Sequence, residues 1–277
     1  MKRVMWAWMA CAWMCACDDQ PERPLAPTAS ALEPVEPKAT MKYPIASGSK
    51  IEFMMEAPIE KIRGRVENAI SGDVFLDPKD LAKTTAHLLV DLSGLELYQQ
   101  VKNGDEFGPE EKKEKQNQHA REWLEIDPAA EARDKNKQAE FVIKEVVADP
   151  NDVTKMTGAE RKVKLTVKGN FLLHGRKSEK TAKLEATFSF DADKASSVVI
   201  KTVEPFTVNL AEHDVRPRDA LGKTLDELAP KVAKDALVSL EFTAAFAGMA
   251  KKAEMDASKA TPAVETPKDK EASAAPK

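Results

Sequence analysis

Three thiols and four imidazoles are the side chains of this 277-residue chain best suited to nucleophilic, redox or metal chemistry. The thiols, Cys11, Cys15 and Cys17, crowd into the first seventeen residues, and the 260 residues that follow contain none. Neither a disulfide nor thiolate catalysis is therefore open to the body of the protein. The imidazoles, His87, His119, His174 and His213, are far apart and lack the paired spacings of zinc sites. Each reads as a surface or turn residue, and Glu212-His213-Asp214 reads as a polar turn after Phe206–Leu210. No Gly-rich phosphate loop, nucleophile elbow or Cys-His arrangement is legible. No catalytic residue, metal ligand or cofactor is assigned, and the expectation is a protein that is not an enzyme.

The chemistry open to the cysteines follows from what precedes them. Met1-Lys2-Arg3 is a short basic head, Val4 to Ala16 is an apolar run, and the run ends in Trp13-Met14-Cys15-Ala16-Cys17. That is the layout of a secretory signal. About thirteen apolar residues are too few to cross a hydrocarbon core as a helix, which takes about twenty, so cleavage is expected. A small residue directly before a cysteine resembles the cleavage box of bacterial lipoproteins. Residues 1–16 would then be the signal and Cys17 the lipid-attachment site, each buried CH₂ of its acyl chains contributing about 0.8 kcal/mol. Cys11 after Ala10 is a competing site, and a plain secreted protein is the competing outcome. The expected localisation is the cell envelope, membrane-anchored and facing the periplasm. Loss of Lys2 and Arg3 takes the formal net charge from −4 to −6, which argues against a nucleic-acid partner.

The elements that must position any site lie between two biased segments. Residues 17–44 carry Pro21, Pro24, Pro27, Pro34 and Pro37 among Ala, Glu and Ser, and read as an extended, disordered tether. Residues 250–277, rich in Ala, Lys, Glu, Pro and Ser, read as a disordered tail. In the domain between them, 45–249, the dominant period is two. Val163, Leu165 and Val167 alternate with Lys164, Thr166 and Lys168. Leu184, Ala186, Phe188 and Phe190 do the same, as do Val238, Leu240, Phe242, Ala244 and Phe246. Weaker strands are expected around 51–55, 59–66, 74–76, 86–92, 140–147, 198–203 and 206–210. About eight antiparallel strands imply a sandwich or a barrel. Helices are expected over 109–126, where Trp123, Leu124 and Ile126 would cover an end of the sheet, and over 223–233. Trp123 reads as packing rather than as a lid.

The stretch from Val167 through Gly169-Asn170-Phe171-Leu172-Leu173-His174-Gly175 to Phe188 resembles the long hairpin of the YceI-like family. Ile51-Glu52-Phe53, Ile70-Ser71-Gly72-Asp73-Val74, Trp123-Leu124-Glu125-Ile126 with Ala139–Ile143, and the closing run 237–246 fall in the same order as that family's landmarks. The resemblance implies a lipocalin-like antiparallel β-barrel whose interior holds an apolar, isoprenoid-like lipid. The inward residues would then be Phe53, Leu165, Val167, Phe171, Phe188, Phe190, Phe206, Val208, Leu240 and Phe242. Alternation alone leaves open whether they line a pocket or fill a core. The alternative is a structural lipoprotein with a packed barrel that binds another envelope protein. If the barrel is incompletely closed, a sheet edge is available for a homodimer.

Overall fold

Residues 24–219, 223–225 and 233–247 are described by the computed structural model, and strands dominate them because period two dominates their sequence. The first three long strands are each bent. β1 (Met41–Pro44) continues toward β2 (Lys50–Ala57), β3 (Glu60–Glu67) toward β4 (Ile70–Leu76), and β5 (Thr85–Asp91) toward β6 (Glu96–Asn103). The bends are fixed by short polar side chains. Ser49 Oγ accepts from Ile70 N–H at 3.1 Å, Asn68 Oδ1 from Gly48 N–H at 2.6 Å, and Asp91 Oδ1 from Ser93 N–H at 2.8 Å. β7 (Glu106–Phe107) and β8 (Glu111–Lys112) fold back on β6, and α1 (Glu114–Trp123) and α2 (Arg133–Asn136) follow. β9 (Gln138–Asp149), β10 (Glu160–Leu173), β11 (Arg176–Asp191) and β12 (Lys194–Glu204) form a meander, then come β13 (Phe206–Asn209) and β14 (Asp235–Ala245).

All pairings are antiparallel along β1-β4-β5-β9-β10-β11-β12-β14-β2-β3-β6-β7, and this ladder does not close on itself. The chain itself joins its two parts. Between β1 and β2, Ile45 bridges Ala244, and Ala46 N–H donates to Thr243 O at 2.8 Å. With each bent pair counted as one strand, eight strands wrap the interior. β10 and β11 pair from Glu160↔Ser189 to Leu173↔Arg176, so the expected hairpin turns on His174-Gly175 alone. Both turn residues have positive φ, 51° and 68°, as a two-residue turn matched to strand twist demands. On β9 a bulge at Lys144, opposite Lys168 and Gly169, shifts the phase, so that Ala139, Phe141 and Ile143 are followed inward by Val146.

One expectation changes here, and a second falls largely outside the described residues. The segment expected as a free tether is seated on the barrel wall from Ala26 on. Ala26 N–H donates to Glu212 O (2.9 Å), Ala29 N–H to Gly175 O (3.0 Å) and Lys177 N–H to Pro27 O (2.8 Å). Leu32, 4% exposed, packs on Val142 and Leu172, and its N–H donates to Glu140 Oε2 at 3.1 Å. Proline recurrence therefore marks an extended chain that is docked, and the first strand begins at Met41. In the second case, residues 226–232 of the expected helix lie outside the described residues, while Thr224 bridges Arg218. Cys17 and residues 250–277 also lie outside them.

Candidate functional site

The barrel interior is unequally filled. At the end carrying the Asp191–Lys194 turn, Tyr43, Leu81, Val153, Phe188 and Val198 are almost wholly buried against one another. Tyr43 donates its hydroxyl to Ala195 O at 3.0 Å, and burial, aided by Asp77, raises its pKa to about 12. Toward the His174-Gly175 turn the strands instead enclose a cavity of about 260 Å³. Eight of the ten residues expected inside line it: Phe53, Leu165, Val167, Phe171, Phe206, Val208, Leu240 and Phe242. Phe188 and Phe190 do not. Phe188 belongs to the packed end, and Phe190 lies under the Arg161 guanidinium, 3.5 Å from ring centroid to Cζ. Arg161 is held there by Gly158 O, Val153 O and Thr154 O.

The rest of the lining comes from the bent strands and the plug. Met55, Ile62, Leu88, Val90, Leu95 and Leu97 supply one wall, and His119, Trp123, Leu124, Leu210 and Val215 cover the turn end. Trp123 is half-buried and stacked on His119, with ring centroids 6.0 Å apart and planes 6° apart. It both packs on the Leu124–Ile126 cluster and forms part of the wall. Two glycines set the depth of the lining aromatics. A Cβ at Gly64 would meet the Phe53 ring at 2.0 Å, and one at Gly169 would meet Val142 O at 2.4 Å and Phe141 Cζ at 2.7 Å. Each glycine leaves room for an aromatic ring to lie along the wall.

Polar groups in the lining are few. Lys180 faces inward on β11, in phase with Ala182 and Leu184, and its Nζ is 3.2 Å from Glu212 Oε2. Glu60, Gln116 and His119 are also in the wall, Glu60 accepting from Gln99 Nε2 at 2.5 Å. Behind the turn end lies a buried polar knot. His213, 0% exposed, directs Nδ1 at Arg176 O (3.0 Å) and Leu173 O (3.3 Å), which places its proton there and lets Nε2 accept the Ser178 hydroxyl at 3.0 Å. His174 Nε2 is 2.8 Å from Glu125 Oε2, and its Nδ1 is 3.2 Å from His213 O. Burial lowers the pKa of both imidazoles; at His174 it outweighs the pull of Glu125, and at His213 Lys180 reinforces it. The expected turn positions hold, but these two histidines are internal. His87 is half-buried on β5, 2.9 Å from Glu140 Oε2, and no hydrophobic alternation could have signalled that pairing.

The site can desolvate a slim apolar body. Among the described residues no group of three or more His, Cys, Asp or Glu side chains is arranged to hold a metal ion, and no helix is long and apolar enough to cross a membrane. A family model described as the YceI-like domain matches residues 44–246. No curated protein matches the chain significantly. Among solved structures, that of Burkholderia cenocepacia BcnA is similar at 13% identity, covering 70% of this chain and 95% of its own, with a TM-score of 0.43. A polyisoprenoid binding domain from Saccharophagus degradans, implicated in plant cell wall breakdown, is similar at 14% identity, covering 75% and 99%, with a TM-score of 0.48.

Proposed function

This chain belongs to the YceI-like family, and on that premise we propose that it is a membrane-tethered lipoprotein of the cell envelope, facing the periplasm, that carries a long apolar lipid in its barrel without a catalytic step. The observation that carries this reading is the apolar cavity of about 260 Å³. It lies just below the usual range of ligand sites, roughly 300–1,000 Å³, and suits one slim chain such as an isoprenoid tail. Binding would be driven by desolvation. Ten buried CH₂ groups at about 0.8 kcal/mol each supply about 8 kcal/mol before the costs of association. Lys180, with Glu212 beside it, and Glu60, Gln116 and His119 are polar groups of the wall available to a head. The leader motif ending at Cys17 supports the anchor.

Native mass spectrometry of the mature chain, recovered from envelope membranes and then extracted with organic solvent, tests both parts. The expected result is a Cys17 peptide carrying acyl chains and a stoichiometric lipid in the barrel. A bare protein that also refuses an added C20 prenyl alcohol and a fatty acid would instead favour a barrel that serves as a partner-binding scaffold.

A further inference from the structure

The seating of residues 26–32 limits how a protein anchored at Cys17 can stand on its membrane. Eight residues separate Cys17 from Ala26, and nine Cα steps reach at most about 32 Å when fully extended. The first fixed points beyond them are all at one end of the barrel. Ala26 is held by Glu212 O, and Arg176 Nη1 donates to Ala26 O at 3.1 Å. Thr28 bridges Arg176, and Ala29 is held by Gly175 O. The opposite end, at Ala192 and Asp193, lies a whole β11 away, about 50 Å at 3.3 Å per residue. We propose that the docked segment orients the barrel, holding its His174-Gly175 end against the phospholipid surface in which the chain is anchored and its Ala192-Asp193 end away from it. This placement rests on the tethered reading above.

The cavity lies on the membrane side of the molecule in this arrangement. Leu173 and Leu210, which line it, are one and two residues from His174 and Glu212, and the tightly packed end around Phe188 faces the periplasm. Exposed Leu25, at 44%, stands at the same end as a side chain able to enter the interface. A lipid tail leaving the bilayer would thus meet the cavity first and would not have to cross open water around the whole barrel. The partner surface is the anchoring membrane itself.

The mature body has no thiol beyond Cys17, so single reporters can be placed cleanly. The acylated full chain, carrying Lys177→Cys or Asp193→Cys labelled with a fluorophore, is reconstituted in phosphatidylcholine vesicles containing a nitroxide-headgroup lipid. The reporter at 177 should be quenched several-fold more than that at 193, and a twenty-residue Gly/Ser insertion after Gln20 should largely abolish the difference. Equal quenching with the native leash, or stronger quenching at 193, overturns the orientation alone. A Cys17 peptide without acyl chains in the mass spectrum overturns the tether and the orientation together.

Discussion

Ala182→Phe and Phe188→Trp should have opposite consequences, although both enlarge an inward side chain of β11. Ala182 is 7% exposed and lines the cavity, between Lys180 and Leu184 on the same face. A phenyl ring there adds six carbons that project into free volume. If they displace about six carbons of the lipid, the loss is about 5 kcal/mol, more than a thousandfold in Kd. The folded state should tolerate the change, since no packed neighbour has to move. Phe188 is 2% exposed within the filled end, where extra volume meets Tyr43, Val163 and Val198 and costs about 1–3 kcal/mol of stability. The cavity, whose lining on β11 ends at Leu184 four residues away, stays as it was. Titration of each variant with a C20 prenyl alcohol, followed by native mass spectrometry, reads binding, and urea unfolding reads stability. The reasoning fails if Ala182→Phe binds as tightly as the wild type, or if Phe188→Trp loses the lipid while remaining folded.

Three further outcomes follow from the same geometry. Gly64→Ala should push the Phe53 ring off its seat and into the cavity, weakening lipid uptake by about tenfold or more while altering the urea midpoint little; unchanged uptake would show that the ring has another place to go. Stability should fall below pH 6.5, because the unfolded chain binds protons on His174 and His213 before the folded one does. With both pKa values lowered from 6.5, stability declines as pH falls from 6.5 toward the folded-state values, and His174→Gln with His213→Asn should flatten that decline in urea titrations at pH 8, 6 and 5. Ala29→Pro combined with Leu32→Asp should release the docked segment, removing one backbone donor and a buried side chain, so that limited proteolysis cuts N-terminal to Met41 at least ten times faster while the barrel core stays intact.

Alternation revealed which face each long strand turns inward, and for that reason Leu165, Val167, Leu240 and Phe242 were legible as interior residues. It says nothing about height along the barrel. Phe188 and Phe190 share their face with Leu184, yet they lie where Tyr43, Arg161 and Val198 have closed the space. The hairpin was legible because His174-Gly175 stands between two clean alternating runs. β6, β7 and β8 were not, since residues 96–112 alternate mostly among polar side chains. The seat of Leu32 was hidden for another reason. Its partners Val142 and Leu172 lie on the outer face of the wall, more than a hundred residues away, and a Pro-rich composition describes the extended backbone without saying what it rests on. His213 follows the same logic, with acceptors supplied by Leu173 and Arg176.

The docked segment also sets an order of events. Its contacts span 108 residues from Leu32 to Glu140 and 150 from Ala26 to Arg176, so they cannot form until the β9–β11 meander exists to receive them. In a chain exported from its N-terminus, the residues that emerge first are therefore the last to settle. On the lipoprotein reading proposed above, the undocked segment would leave Cys17 its full reach while the leader is cleaved and the cysteine acylated. Docking would then shorten that reach, so that on this reading biogenesis and final posture draw on the same dozen residues at different times.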